Sequence, residues 1–195
     1  MKQLGFALFV AAALSPAPAF TQALNTSTYD FIDAVKKSDG NKAIELLGSN
    51  PHGLVDAKDD DGNTALIIAI SRSDENWTGF LLNKGADPNL GGKGGDTPLI
   101  AAARVRFDEA ARWLLGVGAK VDLDNRMGET PLIVAVQQRD APLVKMLLDH
   151  GANPDKTDAA AGYSARDYAS RDPRAREILK MIDEAKPKAA ATAAN

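Results

Sequence analysis

The chain has 195 residues, 45% of them hydrophobic and 25% charged, with a formal net charge of −3; this suits one ordinary globular domain and excludes a wholly disordered chain. It contains no cysteine, which removes disulfides, thiolate metal sites, thiol catalysis and anchoring through a lipidated cysteine. The acidic balance repels a phosphate backbone, so no nucleic-acid partner is expected.

In chain order, residues 1–23 read as a secretory signal. Lys2 gives a short positive start, LGFALFVAAAL (Leu4 to Leu14) is the apolar run, and small residues flank cleavage points after Ala19 and after Ala23. The run is too short to span a bilayer, which needs about 20 residues, and Ser15, Pro16 and Pro18 interrupt it. The mature chain is therefore expected to be periplasmic or secreted, with no stable membrane insertion after cleavage. A cysteine-free exported protein fits a bacterial periplasm better than an animal extracellular space, where disulfides are the usual staple. Asn25-Thr26-Ser27 and Asn76-Trp77-Thr78 match the glycosylation sequon, a weak pattern that means little in a bacterial setting.

Beyond the signal, the chain repeats itself. Thr64, Thr97 and Thr130 stand 33 residues apart, and Ser164 follows 34 later. Leu81-Leu82, Leu114-Leu115 and Leu147-Leu148 keep the 33-residue step, as do Gly85-Ala86, Gly118-Ala119 and Gly151-Ala152. Two independent marks in register identify an array. Each Thr reads as a helix N-cap, with Pro98 or Pro131 at the first helical position or Ala65 in its place. A glycine two residues earlier supplies a turn, and Gly85, Gly118 and Gly151 suit the left-handed residue that closes a helix. The divisions fall at about 28–58, 59–91, 92–124, 125–158 and 159–185. The first, containing FIDAVKKSDGNKAIELL, lacks the Thr-Pro start; the last, containing YSARDYASRDPRAREILKMID, is degenerate. Such ends suit cap units, which keep one face in water. The tail KPKAAATAAN (186–195) has no pattern of burial and is expected to be disordered.

These units resemble the ankyrin repeat, whose pattern reads D-x-x-G-x-T-P-L…A…LL…G-A-D-x-N. Asp59, Gly62, Thr64 and Leu66 match its opening, and Gly85, Ala86, Asp87 and Asn89 its close. The resemblance implies an all-α solenoid of helix-turn-helix units with hairpin-like loops over residues 28–185: about five units, including two degenerate caps. Two departures stand out. The histidine of the family's TPLH motif is replaced by Ile67, Ile100 and Ile133, and the glycine between the two helices by Ser73, Arg106 and Arg139. The stack is then expected to rely more on apolar packing than on loop hydrogen bonds, with stability nearly constant from pH 5.5 to 7.5 for want of a repeat histidine.

The residues offer little chemistry. The two histidines are His52, beside Pro51, and His150, before the helix-closing Gly151. No nucleophile elbow, metal helix or phosphate loop appears. Gly91-Gly92-Lys93-Gly94-Gly95 lacks the Lys-Ser/Thr of a phosphate loop and reads as a flexible hairpin tip. Asp59-Asp60-Asp61 lacks the sixth-position glycine and twelfth-position glutamate of a calcium loop, so it reads as a solvated hairpin. Trp77 and Trp113 read as packing. No catalytic residue, metal or cofactor is expected.

What the resemblance implies instead is a binding surface on the loop tips and the exposed inner-helix face. On this chain the tips are Asp60, Asp61 and Asn63, then Lys93 and Asp96, then Arg126, Met127 and Glu129, and last Tyr163. The inner helices contribute Ser71 and Arg72, Arg104 and Val105, Gln137 and Gln138. The resemblance extends to bacterial exported proteins, among them immunity proteins that block a toxin and factors that support an envelope enzyme. A monomer with a protein partner is the expectation; the alternative is a small-molecule binder or enzyme with a pocket among Asp96, Glu129 and Arg126.

Overall fold

The computed structural model of the protein describes residues 19–49 and 54–185. Most of the signal segment, His52 and the tail 186–195 lie outside the described residues. Among the described residues, ten α-helices form five antiparallel pairs: α1 (Ala19–Lys37) with α2 (Gly40–Ser49), α3 (Ala65–Ser71) with α4 (Glu75–Asn83), α5 (Pro98–Val105) with α6 (Asp108–Gly116), α7 (Pro131–Gln137) with α8 (Ala141–Asp149), and α9 (Ala165–Arg171) with α10 (Arg176–Glu184). The odd helices pack on one another in an inner row, and α4, α6, α8 and α10 in an outer row. Among the described residues there is no strand, only isolated bridges Lys58–Thr64 and Thr157–Ser164 at the base of two projecting loops. No described helix is long and apolar enough to cross a membrane. The architecture is the all-helical repeat solenoid expected from the sequence.

The helix starts follow the cap chemistry. The hydroxyls of Thr64, Thr97 and Thr130 accept from the backbone N–H of Ile67, Ile100 and Ile133, each at 3.2 Å. Ser164 caps α9 in a reciprocal box with Asp167. The isoleucines that replace the family's histidine point into the core, where all three are buried with Leu66, Leu99 and Leu132. In each Leu-Leu pair the first member is fully buried (Leu81, Leu114, Leu147) and the second only half-buried (Leu82, Leu115, Leu148). Helical rotation separates them by 100°, so only one can face the inner row.

The expected shift away from loop hydrogen bonds does not occur. Asp56, Asn89 and Asp122 each accept, through Oδ1, the backbone N–H of the residue 31 positions on (Asp87, Lys120, Asn153), at 2.7–2.9 Å. The Lys58 ammonium donates to the Gly91 carbonyl at 2.6 Å, and Lys156 to Asp122 and Asp124, both at 2.9 Å. Short carboxamide and carboxylate side chains thus do what a loop histidine could do, and they recur at the repeat step.

Candidate protein-binding groove

The projecting loops and the inner helices enclose one face of the stack. Adjacent loop tips are joined through the main chain. Lys93 N–H donates to Asn63 Oδ1 at 3.0 Å, Arg126 N–H to the Gly94 carbonyl at 3.0 Å, and Ala159 N–H to the Met127 carbonyl at 2.8 Å. Glycine makes this approach possible. A Cβ on Gly92 would lie 2.8 Å from both Asn63 Oδ1 and Ile67 Cδ1, and one on Gly128 only 2.6 Å from Ala159 N. The glycine run does occupy a tip, but it is pinned on both sides rather than loose.

Behind the tips, the residue before each Thr cap and the residue eight positions later stand over the same helix, two turns apart. In two units they touch. Arg104 donates to both oxygens of Asp96, at 2.7 and 3.2 Å, and also to Glu129 Oε2 at 2.6 Å. Asn125 Nδ2 donates to Asp96 at 2.7 Å and to Glu129 at 2.9 Å, closing a four-residue network between two successive tips. The hydrogen bond to Asp96 leads the effects that keep the Arg104 guanidinium charged, against a partial loss of hydration. In the last unit the Arg171 guanidinium lies 4.0 Å from the Tyr163 ring centre, and Tyr163 meets Tyr168 edge-on at 5.6 Å. Tyr168 donates to Asp158 at 2.6 Å. Burial alone would push Asp158 up, but the Tyr168 hydroxyl and the backbone of Ala161 and Gly162 outweigh it and hold the carboxyl below its usual range.

These contacts sort the expected surface. Glu129 is only 9% exposed; together with Asp96 and Arg104 it holds the loops in register, so it does not serve as an open tip contact. Asn63 is likewise occupied by the neighbouring tip. Arg72 caps the C-terminus of α1, donating to the Val35 and Lys36 carbonyls and the Ser38 hydroxyl at 2.9–3.2 Å. Lys93 pairs with Asp61 at 3.1 Å, both exposed. Tyr163 is half-buried between Tyr168 and Arg171. Asp60, Gln138, Arg126 and Met127 are exposed, and Gln137 reaches the Tyr168 hydroxyl from an exposed position. Among the described residues Arg126 makes no ion pair, and Met127 is 52% exposed.

Between α3 and α5 the groove deepens into a recess of about 340 Å³, floored by Ile67, Ser71, Ala101 and Val105. The proposed cluster of Asp96, Glu129 and Arg126 is not what forms; Arg104 and Asn125 take the place assigned to Arg126. Tyr168 carries no sequence signal, and although Asn125 and Asp158 keep the 33-residue step from Asp59, the step does not show which side chains they reach. Asp59 holds the corresponding place in an earlier loop. Its Oδ1 accepts from Asp61 and Asn63 N–H and its Oδ2 meets the Lys36 ammonium at 2.9 Å, so this carboxylate is spent on the turn. Among the described residues no three His, Cys, Asp or Glu side chains come together as a metal cage.

A protein-family model described as ankyrin repeats (3 copies) matches the chain over residues 31–125, 80–158 and 109–188. Comparison with curated proteins returns no match. With stacked helix pairs, Thr-capped inner helices, linked loop tips and a family match that runs from residue 31 to 188, the chain belongs to the ankyrin-repeat family.

Proposed function

We propose that the chain is an exported, non-catalytic binding protein that holds a protein partner in the groove between its loop tips and inner helices, serving as an immunity factor or a support factor for an envelope enzyme. Ankyrin repeats generally mediate protein–protein interaction, and the observation that carries the reading here is the division of labour at the tips. Asp96, Arg104, Asn125 and Glu129 are consumed in fixing the loops, while Arg126 and Met127 stand free on that fixed frame. A rigid frame loses little conformational entropy on binding, and Arg and Met are residue types enriched at interfaces. The alternative pocket has less support, since both of its carboxylates are already hydrogen bonded within the protein.

The test compares three chains in capture from a periplasmic extract, followed by affinity measurement with the partner so identified. Arg126→Ala/Met127→Ala should lower affinity by about ten-fold or more, and Lys145→Ala, on the opposite side, should leave it unchanged. Equal retention by all three chains refutes the groove reading. Mass analysis of the exported chain, with its N-terminus expected after Ala19 or Ala23, checks the location; an uncleaved chain confined to the cytoplasm overturns it.

A further inference from the structure

The recess between α3 and α5 differs from the rest of the groove in what it exposes. At the last two inner-helix positions α3 carries Ser71 and Arg72, and α7 carries Gln137 and Gln138, but α5 carries Arg104 and Val105. Val105 is 37% exposed, and with the buried Ile67 and Ala101 it gives the recess an apolar floor. The rim above that floor is one-sided. Its carboxylate and amide oxygens are already engaged: Asn63 Oδ1 accepts the Lys93 N–H, Asp96 Oδ1 accepts from Asn125 and Arg104, and Asp96 Oδ2 accepts from Arg104 Nε. Its donors are not. Among the described residues Arg104 donates through Nε and Nη2 alone, which leaves Nη1, and Asn63 Nδ2 makes no hydrogen bond. The Lys93 ammonium meets only Asp61, in a pair exposed on both sides; such a pair is worth little, so the cation turns readily to another anion.

An apolar floor beneath unused donors and two cations calls for an anion carried on an apolar body. In a polypeptide the C-terminal residue brings both together, because its carboxylate and its side chain leave the same Cα. Inside an extended segment, an acid and its apolar neighbour point to opposite faces. We infer that the recess captures the free C-terminus of a partner polypeptide that ends in an apolar residue: the carboxylate on Arg104 Nη1 and the Lys93 ammonium, the side chain on Ile67, Ala101 and Val105. The inference rests on the groove reading above and gives the partner's contact its chemistry. Asp96 and Glu129 serve it from behind, since they hold the Arg104 guanidinium in place and so spare the ordering cost of a free arginine.

Fluorescence polarisation with an N-terminally labelled Gly-Ser octapeptide ending in Val-Leu tests it. The free acid should bind the full chain with Kd below about 1 mM, and its C-terminal amide about ten-fold or more weaker. An amidated peptide with Glu two residues before an internal Leu should bind no better than the amide. Val105→Gln should weaken the free acid by about five-fold; the fold accepts it, because Gln138 holds that place one repeat on. Lys93→Gln should do the same and leaves the main-chain bond to Asn63 untouched. A free acid no tighter than its amide, an internal Glu peptide that equals it, or binding indifferent to both substitutions overturns the assignment. Octanoate binding as tightly as the peptide also overturns it, in favour of a site for small apolar acids. If the peptides fail while a captured partner still depends on Arg126 and Met127, terminal capture falls and the groove reading stands.

Discussion

At the scale of single residues, the least comfortable group in the stack is Asp108. It opens α6 beside Asp140, whose buried carboxylate caps α8 through Leu143 N–H at 3.2 Å and accepts from Arg106 Nε at 3.3 Å. Asp108 Oδ1 is buried with no hydrogen-bond partner among the described residues. Burial first, then the negative charge of Asp140, pushes the Asp108 carboxyl above its usual range. A carboxyl raised on folding takes up its proton more readily in the native state, so its strain is greatest at neutral pH and fades as pH falls through the raised value. Asp108→Asn removes the repulsion and gives Asp140 an amide donor. It should raise stability by about 1 kcal/mol at pH 7, and the gain should shrink towards pH 4.5 in paired urea melts. Acid loss from Asp59, Asp124 and Asp158, all held below their usual range, sets in lower and is common to both chains. A constant difference across that interval would refute the assignment of strain to this pair.

The interhelix turns hold a second residue-scale device. Ser38, Ser73, Arg106 and Arg139 all sit at φ between 53° and 59°, a left-handed conformation that glycine adopts freely and other residues adopt at a cost. The missing family glycine did not change the turn; it left the strain in place. At two of the four sites the side chain compensates, through Arg106–Asp140 and Arg139–Asp172 at 3.3 and 3.1 Å. Ser73→Gly should therefore stabilise by about 0.5 kcal/mol, whereas Arg106→Gly should destabilise, since it strips the buried Asp140 of its cation. If chemical denaturation moves both variants in the same direction, the compensation argument fails.

At the scale of elements, no helix of the repeats could stand alone: α3, α7 and α9 have seven residues each, well below the length at which an isolated helix is stable. They persist because the row of Leu81, Leu114 and Leu147 packs each outer helix onto the inner row. Leu114→Ala should cost about 2–5 kcal/mol through the cavity it leaves. Leu115→Ala, at a half-buried site, should cost clearly less, and Asp60→Ala should stay within about 0.5 kcal/mol. Equal losses at 114 and 115 would mean that the outer helix is rotated from its assigned position. The pairs themselves were legible because their marks recur in step; which leucine of each pair turns inward was not, since two adjacent leucines look alike until the helix has a phase. The tip residues show the same limit in sharper form. Glu129 and Asp61 are both acids beside a repeat glycine, but only Glu129 has an Asn125 and an Arg104 within reach, and those partners come from around the turn and from the preceding unit.

At the scale of the whole molecule, the main helix contacts among the described residues pass between neighbours. Each helix packs most on its own unit and on the units before and after it, and the described loops bond one repeat on. Stability in such a line is a sum of unit and interface contributions, so damage at an end stays at the end while damage at the centre severs the stack. The last unit is held by Ile178 and Ile182 of α10, which are buried while Glu177, Lys180, Asp183 and Glu184 face solvent. Ile182→Ala should thus release α9 and α10 locally, with hydrogen exchange accelerated there and protection in α3 to α6 retained. Leu114→Ala, in the middle unit, should instead raise exchange on both sides of the cavity. Were Ile182→Ala to accelerate exchange evenly from α3 to α10, the five units would be folding as one cooperative block, and the loop ladder, rather than the apolar rows, would have to be what couples them.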